Sequence, residues 1–148
     1  MKILLAIDES EFSEAAVKMM IAQNAPPNTE VRVLHVLEPP SLLMGREMGG
    51  YDPEFEAVWS ALRDEAKALV EKTTTILRTA GYQVTPALEE GDPKSKIVDL
   101  AAEWKADLIV LGSHGRKGLR RFLMGSVAES VARHASCSVE IVRLPSAR

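Results

Sequence analysis

Short apolar runs alternate with longer segments of helical periodicity along the whole chain. Five of these runs have the length of β-strands, at residues 3–7, 31–36, 83–88, 108–111 and 139–142. This alternation is typical of repeated βαβ units, so it predicts an α/β fold with one five-stranded parallel sheet. The unbroken runs ILLAI and LIVL indicate strands covered on both faces, whereas the proline in QVTPAL indicates an edge strand.

Helices are predicted in the gaps between the strands. The first follows Ser10 and ends near Asn24, where the sequence APPN stops it. The second spans residues 54–80, because its apolar residues recur at three- and four-residue steps and form one stripe. A helix of that length is about 40 Å long, roughly twice the length of a five-residue strand, so part of it should overhang the sheet or fray.

Two further helices are predicted from their first residues. Asp92 is typical of an N-cap, and Pro93 fits the first turn of the helix that follows and runs through Trp104. The last helix is predicted to begin at Ser126, with Glu129 three residues later completing a capping box.

Three residues at strand ends indicate where a ligand would bind. Open α/β sheets bind ligands beyond the carboxyl ends of their strands, at the point where the strand order reverses. Asp8 ends the first strand, Val36 the second and Gly112 the fourth. A strand order of 3-2-1-4-5 would bring all three to one crevice, although the hydrophobic pattern alone does not give that order.

Composition restricts the class of protein. The chain has 148 residues, which predicts one domain over residues 1–148. Cys137 is the only cysteine, and no apolar stretch is long enough to span a membrane, so we expect a cytoplasmic protein. The net charge of −3 argues against general nucleic-acid binding.

A glycine-rich loop with several cations follows the fourth strand, in the segment GSHGRKGLRRFLMGSVAESV. Gly112, Gly115 and Gly125 can adopt positive φ and let a ligand approach the backbone. Gly125 also precedes a helix N-terminus, whose free amides favour an anion, so a phosphate group is the expected ligand. The nearby cations that would assist are Arg116, Lys117, Arg120 and Arg121. Neither a Walker P-loop nor a GxGxxG motif after the first strand is present.

The spacing Gly112-x2-Gly115-x9-Gly125-Ser126 resembles that of the ATP-binding subclass of the universal stress proteins. The resemblance covers nearly the whole chain and includes ILLAIDESEFSEAA, VLHV, GDP, ADLIVLGSHGR and GSVAESVARHASCSVEIVR. It implies a fold like that of the adenine nucleotide alpha hydrolases, with strand order 3-2-1-4-5. It also implies a homodimer that binds ATP, with Mg or Mn as the accompanying cation.

The resemblance also implies roles for individual residues. Asp8 would reach the ribose and the phosphate or metal region, and the backbone of Val36 would pair with adenine. The residues around the ribose and phosphates would be Gly112, Ser113, His114, Gly115 and Arg116, and those at the helix start would be Gly125, Ser126 and Val127.

Each residue also has a plain structural interpretation. The glycines could be turn formers only, Asp8 could cap the first turn near Ser10, and Ser126 could serve only as an N-cap. His114 could act as an acid or base, but no nucleophile, paired acid or metal-ligand cluster accompanies it in the sequence. We therefore expect a regulatory stress-response protein without a catalytic site. The alternatives are a slow ATPase, an adenylyl-transfer enzyme or a structural dimer that binds no nucleotide.

Two further segments carry predictions. Residues 38–51 form a long connection after the second strand, and we expect them to close over the nucleotide as a lid. The last strand is predicted to lie at a sheet edge, where the family resemblance implies pairing with a second copy. Ser138 and Glu140 depart from the proline and the apolar residue that are usual in that strand. The sequence does not identify the protein partner.

Overall fold

The structure is a computed structural model that describes residues 1–24, 26–39, 53–115 and 123–145. Its strands agree with the predicted ones to within two residues at either end. They are β1 (Lys2–Ala6), β2 (Glu30–Leu37), β3 (Gln83–Glu90), β4 (Leu108–Gly112) and β5 (Ser138–Val142). The helices of the described residues are α1 (Glu11–Ala22), α2 (Pro53–Thr79), α3 (Pro93–Trp104) and α4 (Ser126–His134).

The strands form one parallel sheet in the order β3-β2-β1-β4-β5. In the centre of the sheet, Leu5 of β1 pairs with Val33 of β2 on one side and with Val110 of β4 on the other. The α/β fold and the order 3-2-1-4-5 are therefore confirmed, as are the edge positions of β3 and β5. The strand order reverses between β1 and β4, so their carboxyl ends diverge into a crevice.

Helices cover both faces of the sheet, and alternate side chains of each central strand enter different cores. Leu5 is fully buried with Met20 of α1 and Val70 of α2 on one face. Leu4 is fully buried on the other face with Ile97 of α3 and Val131 of α4. Strands covered on both faces explain the unbroken apolar runs of the sequence.

The first turns of α1 and α3 are closed by side chains, and the cap of α3 by Asp92 is the predicted one. Ser10 accepts a hydrogen bond from the amide of Ser13 at 3.2 Å. Asp92 accepts one from the amide of Lys94 at 3.1 Å, and Pro93 occupies the first turn of α3. Each cap satisfies an amide that the helix itself leaves without a partner.

The predicted capping box of α4 is wrong. Gly125 is the N-cap, with extended backbone at φ −61° and ψ 151°, and Ser126 is already the first helical residue. The Ser126 side chain is therefore one position too far along the chain to cap, and no side chain makes a cap hydrogen bond. Glu129 instead pairs with Arg133 one turn later, at 2.8 Å.

The long helix α2 is continuous over 27 residues, a length of about 40 Å. Near its first turns, Val58 of the predicted apolar stripe is 57% exposed, whereas the neighbouring Trp59 is buried. Most of the predicted lid, residues 40–51, lies outside the described residues. Among the residues that are described, no helix combines the length and the apolar character needed to cross a membrane.

Candidate functional site

A cleft of about 1020 Å³ lies at the carboxyl ends of β1, β2 and β4. It sits at the crevice where the strand order reverses, which is where a ligand is expected in an open α/β sheet. Eight of the ten predicted site residues line it: Asp8, Val36, Gly112, His114, Gly115, Gly125, Ser126 and Val127. Arg116 lies outside the described residues, together with Lys117, Arg120 and Arg121.

Of the nine predicted site residues that the structure describes, Ser113 is the one that does not line the cleft. Its side chain is 2% exposed, and the protein itself uses its polar groups. The Ser113 amide donates to the carbonyl oxygen of Val142 at 2.8 Å, and the Ser113 carbonyl oxygen accepts from the amide of Gly125 at 2.7 Å. Ser113 thus supports the site from behind rather than facing a ligand.

The glycines of the loop are needed for close approach between segments of the chain. A Cβ on Gly125 would lie 2.8 Å from the Ser113 carbonyl oxygen, and one on Gly112 would lie 2.7 Å from the Cβ of Phe12. On Gly115 the added Cβ would be 3.0 Å from Oδ2 of Asp8. Contacts below 3.0 Å are sterically excluded for a side-chain carbon, so alanine does not fit at Gly112 or Gly125 without movement.

The three loop glycines do not use the positive φ that glycine permits. In the part of the chain that is described, the glycines with positive φ are Gly81 and Gly91, neither of which belongs to the loop. The loop glycines have backbone angles that other residues adopt. What they lack is space for a Cβ, because α1, Asp8 and the start of α4 pack directly on the loop.

The N-terminus of α4 opens toward the cleft. Among the described residues, no protein oxygen accepts a hydrogen bond from the amides of Ser126, Val127 and Ala128. All three residues line the cleft. Free amides at a helix start, together with the positive end of the helix dipole, favour an anion. The first turns of α1 and α3 differ from that of α4, because Ser10 and Asp92 already occupy them.

Asp8 combines a local role with a position facing the loop. Its Oδ1 accepts a hydrogen bond from the amide of Ser10 at 2.9 Å, and its own amide donates to Oγ of Ser13 at 3.0 Å. Its Oδ2 lies on the side of Gly115. The structural interpretation of Asp8 is confirmed, because Oδ1 orders the turn before α1, and the residue also lines the cleft.

The end of β2 forms the opposite side of the cleft. Val36 is buried, and the neighbouring His35 lies 7% exposed, with Nδ1 donating to the carbonyl oxygen of Ile7 at 2.7 Å. This bond fixes the end of β2 to the residue that precedes Asp8. His35 also lines the cleft, so its structural role and its position at the site coincide.

Several residues that line the cleft were not predicted from the sequence. The start of α3 contributes Asp92, Pro93 and Lys94, and the exposed part of α2 contributes Val58 and Leu62. The GDP sequence after β3 was a usable signal for the first group, since parallel strands end at the same edge of a sheet. No local signal places the α2 residues there, because their position depends on how that helix packs against the sheet.

Carboxylates outnumber cations among the described residues of the cleft. Asp8, Glu9, Glu38 and Asp92 line it, whereas Lys94 is its one described lysine or arginine. A polyphosphate bound there needs additional positive charge close to Asp8. Within the described ranges, no three or more His, Cys, Asp or Glu side chains lie together in a way that could hold a metal ion.

Comparison with known proteins identifies relatives over the whole chain. The sequence profile described as the Universal stress protein family matches residues 1–143. Universal stress protein MJ0531 of Methanocaldococcus jannaschii is 33% identical over 144 residues, which cover 97% of this chain and 82% of that protein.

Solved structures share the fold. That of M. jannaschii MJ0577 superposes with a TM-score of 0.86 at 29% identity, covering 99% of this chain and 97% of that chain. The universal stress protein of Archaeoglobus fulgidus, solved in complex with dAMP, superposes with a TM-score of 0.66 at 27% identity and covers 96% of this chain and 97% of that chain.

Proposed function

This chain belongs to the universal stress protein family, and we propose that it binds ATP in the cleft and acts as a nucleotide-dependent regulatory dimer. The observation that carries the proposal is the start of α4, where three amides without a protein partner open into a cleft at the strand-order reversal. The dAMP complex of the A. fulgidus relative supports an adenine nucleotide as the ligand.

The parts of the nucleotide can be assigned to parts of the cleft. Adenine would lie against the end of β2, with the backbone of Val36 as its hydrogen-bonding partner. The phosphate tail would lie between Gly115 and the amides of Ser126 and Val127. Charge-assisted hydrogen bonds from such amides contribute roughly 1.5–3 kcal/mol each, so a few of them outweigh the helix dipole alone.

A divalent cation fits next to Asp8. Carboxylate oxygens are preferred ligands of Mg²⁺ and Mn²⁺, and Oδ2 of Asp8 lies on the side of the phosphate-binding loop. Magnesium commonly binds through one carboxylate and the phosphates of the substrate, so it does not need a cluster of protein ligands. The cation would neutralise the repulsion between Asp8 and the phosphates.

We propose regulation rather than catalysis as the outcome of binding. The only histidine of the phosphate-binding loop, His114, makes hydrogen bonds with Ser113 and with the carbonyl oxygen of Leu123. A ring held in this way is not directed at a phosphate or a water, as a general base would have to be. Nucleotide occupancy would instead change the conformation presented to a protein partner.

The dimer would form through the free edge of β5. The Val142 carbonyl oxygen points toward β4, where it accepts a hydrogen bond from the amide of Ser113. Because backbone groups alternate along a strand, the N–H and C=O groups of Val139 and Ile141 point away from β4, toward the free edge. Antiparallel pairing with a second copy, centred on Glu140, uses all five residues of the strand. This register also places the two copies of Glu140 directly opposite each other.

Thermal melting tests the proposed binding. ATP with Mg²⁺ at about 100 times its Kd adds roughly 2.7 kcal/mol, which for a protein of this size raises the Tm by about 5–11 °C. Adenosine should raise the Tm less than ATP does, and an unchanged Tm with every adenine nucleotide would contradict the proposal.

ADP release over hours, compared with that of an Asp8→Ala variant, separates binding from hydrolysis.

A further inference from the structure

The ring of His114 is held on three sides by its own chain. Its Nδ1 lies 3.0 Å from Oγ of Ser113, and its Nε2 makes a hydrogen bond with the carbonyl oxygen of Leu123. The ring also packs against Phe12, with a centroid distance of 4.9 Å and an interplanar angle of 45°. We call these three contacts the histidine bridge.

The partners of the ring determine its tautomer. A carbonyl oxygen only accepts hydrogen bonds, so Nε2 must carry the proton that is donated to Leu123. In the neutral ring Nδ1 is then an acceptor, and the hydroxyl of Ser113 donates to it. Both nitrogens are satisfied in one neutral form.

The histidine bridge joins the two segments that carry the proposed phosphate site. His114 lies two residues after the end of β4, whereas Leu123 lies three residues before the start of α4. A second link between the same segments is the hydrogen bond from Gly125 to Ser113. One hydrogen bond leaves the segments free to rotate about it, but two separate links fix both distance and orientation.

We propose that His114 is a positioning residue, which sets the separation between the loop amides near Gly115 and the amides of Ser126 and Val127. The inference rests on the proposed function, because it concerns the geometry of the phosphate site. His114 does not itself bind the phosphates. Its side chain acts through the backbone of Leu123, and Phe12 holds the plane of the ring in place.

This role predicts which substitution is tolerated. Glutamine has an amide N–H at a reach similar to that of Nε2, so His114→Gln retains a donor for the Leu123 carbonyl oxygen. His114→Leu has similar bulk against Phe12 but no donor. The matched control is His134→Leu at the other end of α4, where Nδ1 lies 2.8 Å from the carbonyl oxygen of Ser130.

Calorimetric titration of the full chain with ATP and with adenosine, in excess Mg²⁺, tests the proposal. We expect His114→Leu to weaken ATP binding roughly tenfold and to leave adenosine binding within about twofold of wild type. His114→Gln should recover most of the loss, and His134→Leu should bind both ligands as wild type does. Unchanged ATP affinity in His114→Leu would overturn the inference, as would equal losses for ATP and adenosine.

Nitrogen NMR of the ring in the wild-type protein provides a test that needs no variant to fold. The histidine bridge requires His114 to be the Nε2–H tautomer without ligand, and an Nδ1–H tautomer or a rapidly exchanging mixture would overturn it. A wild-type chain that binds neither ATP nor adenosine contradicts the proposed function itself. Wild-type binding with an insensitive His114→Leu variant contradicts the positioning role alone.

Discussion

The amide nitrogen of Gly125 lies 2.7 Å from the carbonyl oxygen of Ser113 and donates a hydrogen bond to it. This bond joins the exit of β4 to the entrance of α4, two points that are twelve positions apart in the sequence. It places the free amides of α4 beside the loop that follows β4. The candidate phosphate site therefore depends on a contact between backbones, which only a residue without a Cβ permits at position 125.

Substitution of Gly125 by alanine should weaken nucleotide binding. The added Cβ would lie 2.8 Å from the Ser113 carbonyl oxygen and 2.9 Å from the Cα of His114, so the two segments must separate. Overpacking of this kind costs about 1–3 kcal/mol of folding free energy. We expect a lower Tm together with an ATP affinity reduced by roughly tenfold or more, measured by calorimetry.

Gly81→Ala is the matched control for this substitution. Gly81 has a φ of 98° and no atom within 4 Å of an added Cβ, so alanine there is strained but not crowded. Its strain of about 1–2 kcal/mol should lower the Tm while leaving ATP affinity unchanged. If Gly125→Ala and Gly81→Ala lost ATP affinity to the same extent, the loss in Gly125→Ala would come from lower folding stability and not from a changed phosphate site.

Asp8→Asn should remove the dependence of ATP binding on Mg²⁺. The amide oxygen of asparagine still accepts from the amide of Ser10, so the turn before α1 is retained while the charge is lost. Without Mg²⁺, ATP should bind the variant more tightly than it binds wild type, because the repulsion between like charges is gone. With Mg²⁺, the variant should gain little further affinity, whereas wild type should gain on the order of tenfold.

The matched control for Asp8→Asn is a substitution of Asp107, which lies at the opposite end of the sheet. Asp107 accepts a hydrogen bond from the amide of Lys2 at 2.7 Å, far from the carboxyl ends of the strands. Asp107→Asn changes the net charge equally and should leave the Mg²⁺ dependence intact. If Mg²⁺ raised the ATP affinity of Asp8→Asn as much as that of wild type, Asp8 would not be a ligand of the cation.

Glu140→Gln should strengthen the proposed dimer. Pairing of β5 with its copy, centred on Glu140, places two carboxylates opposite each other, and like charges in that position are destabilising. The glutamine side chain has the same shape and still offers an oxygen to Gln23, whose Nε2 donates to Glu140 at 3.0 Å. Light scattering across a dilution series should show a several-fold lower dimer Kd, which corresponds to about 0.2–1 kcal/mol per cross-strand pair. A monomeric wild-type chain at all concentrations would contradict the dimer.

Stability should fall at alkaline pH. Burial raises the pKa of Tyr82 above its ordinary value of 10.0. Burial is also the main cause that raises the pKa of Cys137 above 9.0, and Asp107 adds to it. Both groups favour the neutral form in the folded state, so their contribution is complete below these ordinary values and is lost as pH rises above them. Urea unfolding between about pH 8 and pH 11 should show this decline.

Cys137→Ala isolates part of the alkaline decline. Removing the thiol should make the fall in the free energy of unfolding shallower near pH 9, where an unfolded cysteine begins to ionise. A decline that is identical in the variant and in wild type would mean that Cys137 does not contribute.

The secondary structure was predictable because its signals are local. Unbroken apolar runs mark central strands, and the caps of α1 and α3 are formed by Ser10 and Asp92 with residues two or three positions away. The strand order is not local, and the hydrophobic pattern does not contain it. The resemblance to a known family supplied that order, and the fold bears it out.

The candidate site shows the same division between local and tertiary signals. The positions of Gly112, Gly115 and Gly125 at the cleft were predicted, but the sequence did not show which property of glycine each position requires. Positive φ is a property of one residue, whereas crowding by Phe12 or by the Ser113 carbonyl oxygen appears only after the chain has folded. For the same reason Ser113 was expected to face the ligand, although it is buried behind the loop.

Backbone NMR of the full chain, titrated with ATP and Mg²⁺ and separately with adenosine, tests the central claim most directly. The account predicts that ATP shifts the amide resonances of Gly115, Ser126 and Val127 most strongly, because its phosphates accept hydrogen bonds from that region. Adenosine should leave the α4 amides nearly unchanged. ATP binding that leaves the resonances of Ser126 and Val127 in place, or equal shifts with adenosine, would contradict the phosphate site at the start of α4.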